Sequence, residues 1–369
     1  MQVESRKLMV TILATVLVVA SVVIVVGSGA LKGQAHSVNL TDAGGNEIVM
    51  TEAPTRIVSC APAITEIVCA LGLEDKLVAV TDYDDYPEAA KALKDEGNTV
   101  GGFWDPNFEK IISYDPDLIL LNIGTEAHPD LAKQLRDAGY NAVLLYAQED
   151  LEEVYKSITL VGKLTDKTSA ASTIVSEMKT KISVIGAKVS GQSTPSTLFI
   201  SYVEPGFVNV WTTGSGTAID EIIRLAGGKN TFADQDDWVN PSNEVLMSKA
   251  SNIECIVMTP MYSGMTPEEI TNYLKNDPIW QNSPAVKNNN LYYLTGQAEN
   301  VFNRQSVRMV VAVQLMAEML HPESFSTHVP HEADGVNIIG NEYMDYVTPG
   351  GETHTSSATI LVAASCSRD

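Results

Sequence analysis

The chain has 369 residues, 44% of them hydrophobic, and a formal net charge of −22. Its length exceeds one ordinary domain and suits two with terminal tails, and its apolar share is enough for a buried core, which excludes a chain disordered throughout. So acidic a surface repels phosphate backbones, so no nucleic-acid partner is expected.

The first element is an export signal. Arg6 and Lys7 precede an uncharged apolar run from Leu8 to Val26, followed by the small stretch Gly27 to Ala30. A positive start before an apolar run directs export, and the run is also near the length of a bilayer span. Residues 1–35 are therefore either a signal peptide cut after Ala35 or an uncleaved membrane anchor; no cysteine directly follows them, which excludes a lipid anchor of the bacterial type. Residues 36–53 are polar and Gly-rich and read as a tether with one N-x-T acceptor, Asn39-Leu40-Thr41.

From residue 54 short apolar runs alternate with helical patterns. Strands are expected at 56–60, 77–81, 118–121 and 142–146, and helices at 63–71, ending at Gly72, and at 129–138, ending at Gly139. Continuous apolar strands separated by helices specify a parallel sheet covered on both faces. The rhythm stops at 150–188, where Leu151, Val154, Ile158 and Val161 keep helical spacing and no proline intervenes; this is one long helix, or two joined end to end. Alternation then resumes, with strands at 197–202, 253–258 and 291–294 and helices at 218–226 and 305–320. Thr266-Pro267-Glu268-Glu269 opens a further helix with a capping box. The organisation is an N-terminal lobe at 54–149, a linking helix at 150–190, a C-terminal lobe at 191–322, and an extension with little core at 323–369.

Cys60, Cys69, Cys255 and Cys366 form no C-x-x-C pair, zinc pattern or redox motif. They read as small buried thiols, with a Cys60–Cys69 bridge as the alternative in an oxidising compartment. His128 is the lone histidine placed within the lobes. His321, His328 and His331 cluster after the strand–helix pattern of the lobes and Arg308 falls on a helix surface, so no metal site is expected. Neither G-x-S-x-G, H-E-x-x-H nor a P-loop is present, and Gly214-Ser215-Gly216 is a lone Gly-rich turn able to hold an anion.

The two lobes repeat each other. Thr65 to Gly72 matches Asp220 to Gly227, and Phe103-Trp104-Asp105-Pro106-Asn107-Phe108-Glu109 matches Trp238-Val239-Asn240-Pro241-Ser242-Asn243-Glu244. Each of the latter pair has an aromatic residue, Pro three later and Glu six later, then a short helix leading into an apolar strand. Asn107 and Ser242 are suitable N-caps, and a first-turn Glu favours the helix dipole, so capping alone is one account of Glu109 and Glu244. Two related lobes place a ligand between them.

These residues also carry a family resemblance. Ala53 to Glu66, the Asp82-Tyr83-Asp84-Asp85-Tyr86-Pro87 turn, Gly101-Gly102-Phe103 with Pro106-Asn107-Phe108-Glu109, and Gly214 to Gly228 resemble ordered motifs of the class III substrate-binding proteins of ABC transporters. That group includes cobalamin, haem and ferric-siderophore binders, and the likeness spans roughly residues 54–320. It implies an α/β fold of two Rossmann-like lobes, with central mostly parallel sheets, joined by one long α-helix. It implies a protein exported to the outer face of the membrane, not an enzyme. Such a protein captures a metal chelate, a corrinoid or a ferric siderophore, and delivers it to a permease dimer with its ATPase subunits. By position it assigns ligand contact to Pro62, Tyr83, Phe103, Trp238 and Arg304, and permease docking to Glu109 and Glu244. Asn122 and Asn300 stand where a cobalamin binder has Trp and Asp. A chelatase-like enzyme and a surface-anchored adhesin are the alternative functions.

Overall fold

The computed structural model describes residues 37–147, 149–260, 263–332 and 335–347. The signal or anchor segment 1–35, Cys366 and the end of the extension lie outside the described residues.

The segment read as a tether is a β-hairpin, β1 (Val38–Thr41) and β2 (Glu47–Met50). Its turn is organised by buried Asp42, which accepts from the amides of Gly44 (2.9 Å), Asn46 (2.8 Å) and Leu144 (3.1 Å), fastening the hairpin to the N-terminal lobe. Ile48 and Met50 alternate inward into the core. Two short apolar–polar alternations flank the Gly-rich turn, which is hairpin chemistry rather than linker composition.

The N-terminal lobe follows the expected plan. Strands β3 (Ile57–Ser59), β4 (Leu77–Ala79), β5 (Leu118–Asn122) and β6 (Ala142–Leu145) form a parallel sheet in the order β4-β3-β5-β6. Every residue of β3, β5 and β6 is buried, as both-face coverage requires. The helices are α1 (Pro62–Ala70), α2 (Glu88–Asp95), α3 (Phe108–Ser113) and α4 (Ala127–Asp137).

The connection to the second lobe is a pair of helices rather than a single one: α5 (Leu151–Leu164) and α6 (Thr168–Val189), separated by a bend in which Asp166 has φ +59°. Lys179 Nζ of α6 lies 4.8 Å from the ring centroid of Tyr155 on α5. Those residues stand about three turns from the bend on either side, so the helices run back along one another. Gly162 permits the close approach, since a Cβ there would sit 2.4 Å from that of Ala171.

The C-terminal lobe is built on β7 (Ser196–Glu204), β8 (Val208–Thr213), β9 (Lys229–Asn230), β10 (Trp238–Val239), β11 (Cys255–Met258), β12 (Leu291–Leu294) and β13 (Asn337–Ile339), with main order β10-β8-β7-β11-β12-β13. Its helices are α7 (Ala218–Leu225), α8 (Asn243–Ala250), α9 (Pro267–Asn276), α10 (Pro284–Lys287), α11 (Gly296–Asn303) and α12 (Met309–Leu320), with α13 (Tyr343–Val347) beyond. The capping box at Thr266 and Glu269 opens α9 as read. The repeat is visible in the pairing: β3 lies between parallel β4 and β5, and β7 between parallel β9 and β11. The C-terminal lobe adds antiparallel β8 and β10, which the sequence reading missed.

Residues 323–347 are not an appendage with little core. β13 pairs in parallel with β12, and Phe325, Val329, Ile339 and Tyr343 are buried. His321 is also buried, with Nε2 3.4 Å from the carbonyl of Gly227. Gly227 has φ +82°, and a Cβ on it would stand 2.8 Å from that nitrogen, so both backbone and packing require glycine.

One apolar cluster runs through both lobes, joining α1, α5, α6, α7 and α12. The outer faces of the two sheets have separate clusters. The lobes are thus fused along one side by a continuous core. The free cysteines Cys60, Cys69 and Cys255 are buried, as the thiol reading expects.

Candidate functional site

The turn after β4 and the helix after β12, each leaving the C-terminal end of its strand, meet across the seam between the lobes. At its centre is a buried ion pair. Glu66 on α1 accepts from Arg308 Nε at 3.0 Å and also from Arg308 Nη2 and Ser306 Oγ. Arg308 Nη1 donates to Gln297 Oε1 (3.0 Å) and Tyr343 Oη (3.2 Å), and its guanidinium lies 4.0 Å from the ring centroid of Tyr86. Arg308 is therefore 1% exposed, not the surface charge its helical position suggested. Burial alone would lower its pKa; the adjacent Glu66 carboxylate more than reverses this and keeps it charged.

Beside that pair lies a second link. Arg304 donates to Asp85 and, through Nη2, to the carbonyl of Tyr83 at 3.0 Å, while Asn300 Nδ2 reaches Asp85 at 2.9 Å. Burial pushes Asp85 upward, but the Arg304 charge prevails and holds its carboxyl below the ordinary range. The structure thus joins Tyr83 with Arg304 across the seam, and Arg304 already has a partner there. Asp84 anchors the turn: its Oδ2 accepts from Thr81 N (2.8 Å) and Thr81 Oγ1 (2.6 Å). Burial raises its pKa to about 6 despite those bonds.

Tyr83 is 52% exposed, and its ring covers Gly102, where a Cβ would stand 3.2 Å from Tyr83 Cε2. Phe103 follows, half-buried, with its carbonyl 2.8 Å from His128 Nε2 and its ring centroid 5.3 Å from the imidazole. His128 Nδ1 accepts the amide of Asn122 at 2.9 Å, so Nε2 carries the proton and donates to Phe103. Burial lowers the His128 pKa and keeps the ring neutral. The lone lobe histidine therefore positions the Phe103 loop, and Asn122 is a buried strand-end residue. Pro62 is buried in the first turn of α1.

In the other lobe Trp238 on β10 is 45% exposed and pairs with Thr213 of β8. Trp211, two residues from Thr213, shares its face of the strand, so two tryptophans stand on one side of the added antiparallel pair. Asp237, adjacent to Trp238, is near enough to Glu149 of the N-terminal lobe to help burial and Glu153 raise its pKa, which puts this edge at the seam. Trp104, 69% exposed with its ring centroid 4.8 Å from that of Phe103, was passed over along with Trp211. The inward Val210 and Thr212 on either side of Trp211 were the available signal.

Glu109 and Glu244 occupy matching places. Each is exposed in the first turn of its helix, α3 or α8, behind an N-cap, Asn107 or Ser242, that accepts the helix amide itself. Among the described residues neither carboxylate has a hydrogen-bond or ion-pair partner, so neither closes a capping box. The Gly214–Gly216 turn is not an anion cradle: the amides of Gly214 and Ser215 donate to the carbonyls of Asp237 and Gln235, both at 2.7 Å.

Comparison with known proteins places this architecture. The family model described as periplasmic binding protein matches residues 57–298. The ABC transporter substrate-binding lipoprotein YvrC of Bacillus subtilis (strain 168) is 31% identical over 297 residues, covering 80% of this chain and 88% of that protein. The vitamin B12-binding protein of Vibrio vulnificus (strain YJ016) is 29% identical over 264 residues, 71% of this chain and 89% of that one. In structure, a possible iron-binding (periplasmic solute-binding) protein from Staphylococcus epidermidis ATCC 12228 superposes with TM-score 0.63 at 24% identity, over 73% of this chain and all of that chain, a likeness of fold. The chain belongs to the periplasmic binding protein family and is a substrate-binding protein of an ABC transporter.

Proposed function

We propose that the protein captures a metal chelate, a corrinoid or a ferric siderophore, between its lobes outside the cell membrane, and delivers it to a permease dimer with ATPase subunits. The observation that carries this reading is the set of large aromatic side chains left exposed beside the seam, Tyr83 at 52% and Trp238 at 45%, with Phe103 half-buried next to Tyr83. Exposed aromatic rings offer wide apolar contact at little entropy cost and suit a broad, rigid ligand. Pro62 and Arg304 complete the proposed ligand set. The vitamin B12-binding relative supports a corrinoid, and the substrate-binding relatives support binding without catalysis. The apolar run at 8–26 is proposed to hold the protein at the membrane if it stays uncleaved.

Glu109 and Glu244 are proposed to meet one arginine on each permease subunit. Their unpartnered carboxylates, at matching positions of the two lobes, support this over capping. The test of the ligand reading is calorimetry with cyanocobalamin and ferric hydroxamates on wild type and Trp238→Ala. Wild type should bind one of them at 1:1, and the variant should lose about 1–3 kcal/mol, the scale of a lost aromatic contact. No heat with any corrinoid, haem or ferric siderophore refutes the reading.

A further inference from the structure

The N-terminal hairpin carries a motif that ligand capture does not use. Asn39-Leu40-Thr41 is the one N-x-S/T triplet of the chain whose middle residue is not proline; Asn240-Pro241-Ser242 is closed by Pro241. Strand β1 displays the triplet openly. Side chains alternate along a strand, so Asn39 and Thr41 share the outer face of the hairpin and are exposed, while Val38 and Leu40 pack against the core. Among the described residues β1 pairs with β2 alone, which leaves its other edge open. Asn39 Nδ2 donates to Glu47 Oε1 at 2.8 Å, a bond that uses one of its two amide hydrogens. A glycosidic bond would replace the other hydrogen, so both fit on the same nitrogen.

The neighbouring surface suits a sugar. Val49 is the cross-strand partner of Asn39 and is 57% exposed. It also forms the lip of an open groove of about 250 Å³ that follows residues 51–55 to Asp117 and Asn141. A pyranose has C–H faces for the aliphatic side chain and hydroxyls for the polar walls. We propose that Asn39 is an N-glycosylation site, with its first sugar seated over Val49 at the mouth of that groove. The donor class is an oligosaccharide carried on a polyprenyl phosphate and transferred by a membrane-bound oligosaccharyltransferase. Asn39 Nδ2 bonds to the anomeric carbon and the bond from that carbon to the lipid phosphate oxygen breaks. The phosphate leaves with the electron pair, and the amide proton passes to a base on the transferase. Residues 27–38 alone separate the apolar run from Asn39, at most about 43 Å of chain, so the acceptor is made close to a membrane that can hold such a donor. This goes beyond ligand capture and rests on the export reading alone.

The experiment isolates the protein from fractionated native cells as wild type, Asn39→Gln and Thr41→Val, with melting temperatures confirming folding. The tryptic peptide ending at Arg56 is then measured by mass spectrometry that keeps sugars attached. In the wild type it should be heavier than its sequence mass by one or more sugar residues, with fragments placing them on Asn39. Both variants should lose that added mass, and loss in Asn39→Gln separates an N-linked sugar from one on the Thr41 hydroxyl. Wild-type protein recovered outside the membrane with this peptide at its bare sequence mass overturns the inference, as does added mass that survives either substitution; both results leave export and ligand capture standing. Protein retained inside the cell defeats the export reading and this inference with it.

Discussion

Replacing Glu66 with Gln keeps the shape of α1 but removes the counter-charge of Arg308. Both residues are about 1% exposed, so water cannot take over the guanidinium. Three donors converge on the carboxylate, two from Arg308 and one from Ser306. Removing one member of a buried ion pair costs about 3–5 kcal/mol, mostly for the charge left behind. Gln297, Tyr343 and the Tyr86 ring still contact Arg308 in the variant, which places the expected loss nearer 3 than 5. For a chain of this size that corresponds to roughly 4–6 °C in Tm. Arg308→Met should cost a similar amount by stranding Glu66. The double variant Glu66→Leu with Arg308→Met leaves no charge unmatched, so it should recover most of the loss, with a coupling energy of at least about 2 kcal/mol. Urea unfolding followed by tryptophan fluorescence and circular dichroism measures all four corners of the cycle. Single variants that each lose less than about 1 kcal/mol and add without coupling would refute the reasoning.

Three further outcomes are expected. Glu109→Arg with Glu244→Arg should abolish uptake in vesicles reconstituted with the permease while ligand affinity in solution holds, and paired Glu→Gln changes should do less because they add no repulsion; normal transport by the double Arg variant would return both residues to helix-dipole duty. Glu318 is buried with one oxygen sealed and unpartnered, and burial raises its pKa to about 7 against bonds from Gln314 and Thr327. The folded state holds this proton where the unfolded chain has lost it, so Tm should rise as pH falls from 8 toward 5.5, and Glu318→Gln should flatten that rise; an unchanged slope would count against it. Ligand binding should change the radius of gyration by on the order of 1 Å or less, since the lobes share a core and a buried ion pair; small-angle scattering showing a large contraction would contradict this.

Much of the fold was legible because its signals are local. The runs at β5 and β6 are continuously apolar because both faces are covered, and the capping box at Thr266 needs only four residues to declare itself. The matching placement of Glu109 and Glu244 was legible for the same reason. What could not be read depends on distant partners. Arg308 looks like any exposed helix charge until Glu66, 242 positions away, is folded against it. Strand β8 mixes Asn209, Thr212 and Thr213 with apolar residues and is held by pairing to β7 and β10 rather than by its own pattern. Residues 323–347 hold few apolar positions, yet Ile339 and Tyr343 land on core already built by α12 and β12. The bend between α5 and α6 has no proline to announce it; Gly162 against Ala171 makes it close-packed, and glycine alone did not distinguish a bend from a straight helix.

The pairing of β13 with β12 bears on how this protein can be trimmed. Strand β12 reads Leu-Tyr-Tyr-Leu and is buried throughout, with β11 on one side and β13 on the other in the register Tyr292–Asn337, Tyr293–Ile338 and Leu294–Ile339. A chain ended after Leu320 would keep both lobes but leave the outer amides and carbonyls of an apolar, aromatic strand unpaired. Such an edge is a template for strand addition from another molecule. The residues after α12 therefore act as a guard against self-association, and a fragment cut there should precipitate or form oligomers where one extending through Val347 stays monomeric.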